Sequence, residues 1–117
     1  MQIAERSAGD VTVLDLEGTL IYEEGFEQLR DALNRIIGRG DRKLLLNLAG
    51  VTALDSSGVG LIAAKYVTLR RLDGRLKLCN LHPRSFAVLN ITKLLTIFES
   101  YDSEAEGLKS FTASTAP

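Results

Sequence analysis

Residues 43–60 read KLLLNLAGVTALDSSGVG and join an apolar strand to a glycine-rich helix start. The run Lys43–Leu48 is short and mostly apolar, which is typical of a central parallel strand. A helix is predicted to begin at Ser56 or Ser57 and to stop at Gly74. The apolar residues after the turn recur at helical spacing, at Val59, Ile62, Ala63, Tyr66 and Leu69. The turn itself follows the carboxyl end of a strand, where α/β folds place their binding sites.

The segments before this stretch alternate between strand and helix patterns. Residues 10–18 contain VTVLDLEG, a β-branched apolar run that predicts a strand. The residues around Ile3 could pair with it through a turn at residues 9–10. Helical spacing then recurs, and two following glycines can end that helix; the apolar positions are Phe26, Leu29, Leu33, Ile36 and Ile37. Strand, helix and strand together predict a crossover unit.

The alternation continues beyond the second helix. Residues 76–78 read Leu-Lys-Leu and predict a further strand. Pro83 suits the first turn of a third helix, which would contain Phe86 and Leu89.

Two more elements are predicted near the C-terminus. Ile97 and Phe98 are typical of a final strand. Ser103 and Glu106 have the spacing of a capping box, which predicts a last helix running to about Phe111.

These elements predict one α/β domain over residues 1–112, with a flexible C-terminal tail at residues 113–117. The domain should have a mixed, mostly parallel sheet of about five strands, with about four helices. A chain of 117 residues can bury one core but not two.

Composition narrows the functional classes. With 14 basic and 15 acidic side chains, the net charge of -1 argues against direct nucleic-acid binding. One cysteine, Cys79, excludes an internal disulfide, and one histidine, His82, excludes a multi-histidine metal site. No apolar stretch is long enough for a membrane helix, and no export signal is visible. We therefore expect a cytoplasmic protein with no membrane insertion, no metal and no cofactor.

The turn contains a local contradiction. Gly58 and Gly60 both fall in the first helical turn, and each costs the helix about 1 kcal/mol relative to alanine. Either the helix packs closely against the sheet there, or another molecule approaches closely. Asp55, Ser56 or Ser57 could cap the helix, which leaves a purely structural interpretation open.

In this strand-to-helix context, the turn Asp-Ser-Ser-Gly-Val-Gly at residues 55–60 resembles the anti-sigma factor antagonist family, whose fold is the STAS domain. The resemblance covers nearly the whole chain, from the N-terminal strand pair through LLLNLAGV and LIAAKY to the last helix. It implies that Ser56 is phosphorylated. It further implies that the unphosphorylated protein binds an anti-sigma factor, typically a serine kinase, and so frees a sigma factor. A PP2C-type phosphatase would restore the binding form.

The residues around Ser56 are the predicted partner-binding surface. Asp55 should cap the helix and Ser57 should be structural, while Gly58 and Gly60 are candidates for close approach by a partner's backbone. Val59 completes the predicted surface. Phosphorylation at a helix start should leave the helix intact and should instead disrupt an interface that closes over the turn.

One loop departs from the family pattern. Many antagonists resemble Gly-Glu-Leu-Asp where this chain has Gly18 to Ile21, so Thr19 and Ile21 occupy the two acidic positions. Glu23 and Glu24 could replace that acidity, although glutamates are also common at helix N-termini. The altered loop supports an alternative, a STAS adaptor or scaffold that binds constitutively in a stress-signalling or transport complex.

An enzyme is the third class considered. The turn is not Gly-x-Ser-x-Gly, His82 is the only histidine available as a base, and no phosphate-binding Gly-x-x-x-x-Gly-Lys-Ser/Thr loop is present. The sequence therefore predicts no catalytic residues and a regulatory binding module.

Overall fold

The fold is described from a computed structural model, which covers residues 1–81 and 98–113. Strands and helices alternate along most of the chain, as predicted. The elements are β1 (Gln2–Ala8), β2 (Val11–Leu20), α1 (Phe26–Gly38), β3 (Lys43–Leu54), α2 (Ser56–Arg71), β4 (Arg75–Cys79), β5 (Ser100–Tyr101) and α3 (Glu104–Ala113).

The five strands form one mixed sheet in the order β1-β2-β3-β4-β5. The hairpin of β1 and β2 is antiparallel, with Ala8 opposite Val11, so the predicted turn at residues 9–10 is confirmed. The remaining neighbours, β2 to β5, pair in parallel. The predicted α/β class is therefore confirmed, and the antiparallel hairpin makes the sheet mixed.

The helix count and the last strand differ from the prediction. Three helices occur in the described residues instead of about four, and the helix predicted from Pro83 lies outside them, in 82–97. Among the described residues the last strand is Ser100–Tyr101, and Phe98, which we predicted to lie in it, precedes it. Ile97, the other residue of the predicted strand, lies outside the described residues. Phe98 is buried in the core, where it packs edge-on against the Tyr66 ring of α2 with the ring centroids 5.5 Å apart. This burial explains why an apolar residue stands at position 98.

The main core lies between the sheet and the pair α1 and α2. Alternate residues of β2 and β3 face these helices, and the helices contribute their apolar stripes. Strand β3 continues past its predicted end at Leu48 because Val51 and Leu54 also point into this core. It is this extension that carries β3 up to the turn at residues 55–60.

Helix α3 covers part of the opposite face. Its Phe111 packs in a small cluster with Val11, Val13, Leu45 and Cys79. The serine of the predicted capping box, Ser103, accepts a hydrogen bond from the Glu106 N–H at 3.2 Å, so this start signal is confirmed. The helix reaches Ala113, and the rest of the predicted tail lies outside the described residues.

Lys77 is buried beneath α3, with 2% of its surface exposed. Its Nζ lies 3.0 Å from Glu99 Oε2 and 3.0 Å from Ser110 Oγ. The charge is therefore paired, which is the condition under which a lysine can be buried at tolerable cost.

Candidate functional site

The turn between β3 and α2 presents one exposed hydroxyl. Asp55 has extended backbone angles (φ −112°, ψ −178°) and precedes the helix, and Ser56 is the first helical residue. The side chain of Ser56 is exposed, and that of Ser57 is half-buried. Asp55 Oδ1 accepts a hydrogen bond from the Gly58 N–H at 2.9 Å. Of the three residues that we considered as helix caps, Asp55 is therefore the one that caps α2.

The second oxygen of Asp55 binds a different part of the chain. Oδ2 accepts a hydrogen bond from the Tyr22 N–H at 3.1 Å, and the Asp55 N–H donates to the Leu20 carbonyl at 3.3 Å. Strands β2 and β3 end side by side, with Leu20 opposite Leu54. One carboxylate therefore joins the start of α2 to the loop between β2 and α1.

Gly58 is required by internal packing. A Cβ at this position would lie 2.6 Å from the Leu20 carbonyl oxygen and 2.9 Å from Leu54 Cδ1. The neighbouring Val59 is fully buried in the main core. The space that we predicted for a partner's backbone at Gly58 is thus filled by the protein's own β2, and both residues support the turn from inside.

Gly60 has the opposite surroundings. It is exposed, and a Cβ there would meet no atom within 4 Å. Of the predicted partner-binding residues, Gly60 therefore lies on the surface with Ser56, while Asp55 and Ser57 are partly covered.

The β2–α1 loop is a tight, hydrogen-bonded turn. Ile21 and Glu24 exchange two backbone hydrogen bonds, of 2.9 and 3.0 Å. Gly25 has φ +90°, and a Cβ there would lie 2.0 Å from the Thr19 carbonyl oxygen, so only glycine fits. Thr19 and Ile21, which stand where many antagonists have acidic residues, are half-buried within this turn and the strand end before it.

The tip of that loop displays Tyr22, which sequence reasoning did not single out. Its side chain is 67% exposed, and its ring leans on Phe26 with the centroids 5.9 Å apart. Glu23 and Glu24 are exposed beside it and precede α1, so they are not first-turn residues of that helix. An open groove of about 610 Å³ runs along residues 22–31. The sequence does contain a signal for Tyr22 as a surface residue, since it is an aromatic residue followed by two glutamates in a predicted loop.

The remaining candidates lie away from the turn. Cys79 is fully buried, and burial raises the pKa of its thiol to about 11, in keeping with its predicted role as a small apolar group. His82 falls outside the described residues. Among residues 1–81 and 98–113, no group of histidine, cysteine or acidic side chains is arranged to hold a metal, and no helix is long and apolar enough to cross a membrane.

Comparison with known proteins places this geometry in a family. The sequence model of the STAS domain family matches residues 2–107 of this chain. The chain belongs to the STAS domain family. A curated relative, the anti-sigma F factor antagonist of Paenibacillus polymyxa, is 26% identical over 109 residues, which are 92% of each chain. The resemblance to anti-sigma factor antagonists inferred from the turn is confirmed.

Solved STAS structures share the fold. The antagonist SpoIIAA in its unphosphorylated form superposes with a TM-score of 0.72 at 21% identity, covering 98% of this chain and 100% of SpoIIAA. The phosphorylated form of the Bacillus SpoIIAA superposes with a TM-score of 0.71 at 22% identity, covering 94% and 99%. At these identities the superposition establishes the common architecture of the STAS domain.

Proposed function

We propose that this STAS domain is an anti-sigma factor antagonist whose activity is switched by phosphorylation of Ser56. The unphosphorylated chain binds an anti-sigma factor serine kinase in the cytoplasm and thereby frees a sigma factor for transcription. The observation that carries this proposal is the exposed Ser56 side chain at the first position of α2, beside a cap that does not use the serine hydroxyl. The relatives that bear the name anti-sigma factor antagonist support the same class.

The position of Ser56 makes phosphorylation compatible with the fold. A phosphoserine adds about -1.5 to -2 charges at pH 7, and an anion in the first helical turn gains about 0.3 to 1 kcal/mol from the helix dipole. The cap from Asp55 to Gly58 stays in place, because Ser56 takes no part in it. The modification therefore alters the surface of the turn and leaves α2 folded.

Phosphorylation releases the kinase through charge. In the transfer, the Ser56 oxygen forms a bond to the γ-phosphorus of ATP, the bond to the β-phosphate oxygen breaks, and the hydroxyl proton passes to a base of the kinase or to water. The product phosphoserine then places a dianion at the interface, next in the chain to the acidic Asp55 and near the ADP that the kinase still holds. Burying an unpaired charge at such an interface costs about 2 to 5 kcal/mol. A PP2C-type phosphatase would hydrolyse the phosphoester and restore the neutral hydroxyl.

Phosphate incorporation tests the proposal directly. The purified chain is incubated with Mg-ATP and the anti-sigma factor serine kinases encoded in the same genome, and the modified residue is mapped by mass spectrometry. We expect one phosphate per chain at Ser56. Ser57→Ala is the matched control and should be modified normally, whereas Ser56→Ala should remain unmodified and kinase-bound. Modification at another residue, or equal modification of Ser56→Ala, contradicts the proposal.

The second candidate is a STAS adaptor that binds its partner constitutively. It is favoured by Thr19 and Ile21, because these residues replace the two acidic residues that many antagonists have in this loop. Stable binding to a kinase without transfer to Ser56, and equal binding by Ser56→Asp, would support the adaptor. Both candidates are binding modules without catalytic residues of their own, and neither requires nucleic acid, a membrane or a cofactor.

A further inference from the structure

We propose that the outward face of α2 is a dimer interface, on which a second copy of this chain packs its own α2 in the antiparallel direction. We name it the α2 face, and it comprises Ser56, Gly60, Ala64, Val67 and Arg71, all of which are exposed. Dimerisation needs no other protein, and only its consequence for Ser56 rests on the proposed function.

Helix α2 lacks the polar outer side that a surface helix normally has. Val59 and Ile62 are fully buried on its inner side. On the outer side Gly60, Ala64 and Val67 are exposed, and none of them has a polar side chain. Val67 is 45% exposed, which makes it one of three exposed large hydrophobic residues in the described part of the chain. A helix that is apolar on both sides is typically buried on both, so a partner is expected on the α2 face.

Helix α1 provides the contrast. Apart from the glycine at its end, its exposed residues are polar, and they are Glu27, Gln28, Asp31, Asn34 and Arg35. On α2, the only charged residue from Ser56 to Leu69 is Lys65, and its ammonium group donates a hydrogen bond to Asn34 of α1. The α2 face is therefore uncharged up to the arginines at its C-terminal end.

The α2 face is complementary to itself in the antiparallel direction. Its residues recur at steps of three or four, so they form one row along the helix. In a pair related by a two-fold axis, Gly60 lies opposite Val67 of the second copy, and Ala64 lies beside the axis. A Cβ at Gly60 would meet no atom within 4 Å, so this position is open to the valine. Small residues at the contact also let the two helices approach closely.

The two ends of α2 carry opposite charge. Arg70 and Arg71 are exposed at its C-terminal end, and Glu23 and Glu24 are exposed in the loop beside its N-terminal end. A hydrogen bond from that loop to the Asp55 carboxylate fixes the loop there. Within the described part of the chain, none of these arginines and glutamates has an ion pair.

These charges cannot pair within one chain. Helix α2 has 16 residues, so its ends are about 24 Å apart. An antiparallel second copy brings the arginines of each chain to the glutamates of the other, whereas a parallel copy would place like charges together. Both contacts form at once around the two-fold axis, so the assembly closes at two copies.

Ser56 is covered in this dimer, because it lies opposite Arg71 of the second copy. On the proposed function, the kinase therefore reaches the serine only in the monomer. Dimerisation would then set how much of the chain is available for phosphorylation.

Complementary charge reversal tests the antiparallel arrangement. In sedimentation velocity, the parent chain should form more dimer as its concentration rises, and less at high salt. One variant carries Arg70→Glu with Arg71→Glu, the other Glu23→Arg with Glu24→Arg, and each alone should dimerise at least about tenfold more weakly. An equimolar mixture should restore the dimer, because every end then faces the opposite charge. A mixture that stays monomeric contradicts the antiparallel arrangement, and a parent chain that is monomeric at every concentration overturns the dimer.

The middle of the α2 face is tested at Ala64. Ala64→Glu places two glutamates beside the two-fold axis and should abolish the dimer, while thermal melting should show a folded chain because the position is exposed. The matched control is Ala105→Glu, at an exposed alanine of α3 on the opposite side of the sheet, which should dimerise like the parent chain. Equal loss in the two variants contradicts a local interface.

Cysteine cross-linking locates the axis. Under mild oxidation Ala64→Cys should form a disulfide-linked dimer, because the two Cβ atoms can approach within the span of a disulfide only beside the axis. Ala105→Cys is the control, and both variants keep the buried Cys79 as a common background. Cross-linking of both variants to the same extent would indicate random collision and contradict the proposed axis.

The outcomes separate this inference from the proposed function. If Ser56 is phosphorylated normally and the parent chain stays monomeric, the dimer is overturned and the switch stands. If the dimer forms and responds to the variants as expected but Ser56 is never modified, the switch fails and the dimer stands.

Discussion

Asp55 carries two structural duties at the scale of one residue. One carboxylate oxygen caps α2 and the other holds the β2–α1 loop. The cap was predictable from sequence because it depends on residues three apart. The loop contact was not, because it depends on the parallel alignment of two strand ends that are distant in sequence.

The two glycines of the turn should respond oppositely to alanine. Gly58→Ala places a methyl group 2.6 Å from the Leu20 carbonyl oxygen and should lower the free energy of unfolding by about 1 to 3 kcal/mol. Gly60→Ala enters open space in a helix and should raise it by about 0.5 to 1 kcal/mol. Urea denaturation of both variants checks this. Equal effects at the two positions would contradict the packing assigned to Gly58.

At the scale of elements, the prediction was correct for the segments whose apolar spacing matches the face that they bury in the core. The long runs of β2, β3, α1 and α2 have this property. The position of the last described strand was not predicted correctly. Phe98 was assigned to it for its apolar side chain, but this side chain packs against Tyr66 and does not belong to the sheet. The burial of Lys77 was equally invisible, since it needs α3 and the distant Glu99 and Ser110.

Helix α2 should survive a negative charge at its start. Ser56→Asp should keep the far-ultraviolet helix signal and a melting temperature close to that of Ser56→Ala, because the dipole favours an anion there and the cap is provided by Asp55. The same variant should lose kinase binding. Circular dichroism and a binding titration on one preparation measure both. A loss of helix comparable to unfolding would place the switch in folding instead of at the interface.

At the scale of the whole molecule, charge pairs surround the antiparallel hairpin. Arg39 lowers the pKa of Glu5 and of Asp41, and Arg6 lowers the pKa of Asp15. These three carboxylates are 27 to 32% exposed, so solvent screening reduces each contribution. The pairs link β1 to β2 and to the end of α1.

Stability should therefore fall at acid pH. A carboxylate whose pKa is lowered by folding contributes stability above its unfolded pKa, near 4, and loses it as pH falls through the folded value. We expect the urea midpoint to change little from these groups between about pH 5 and 7 and to drop below about pH 4. Arg39→Gln should shrink that drop, because it removes the ion pair of Asp41 and one of the two arginine partners of Glu5, which keeps only Arg35. Arg30→Gln is the control, and a drop of unchanged size in Arg39→Gln would contradict this account.

The bond from Tyr22 to Asp55 has a consequence for divergence, because its donor is a main-chain amide. Any residue but proline at position 22 can make it, so the side chain at the tip of the loop is free to vary while the position of Asp55 and the start of α2 are kept. If the proposed phosphorylation of Ser56 holds, related domains in one cell can share the same phosphorylated turn and still differ in the loop beside it, which limits cross-talk between their kinases. Such specificity between parallel signalling pathways would require no change in the fold of the domain.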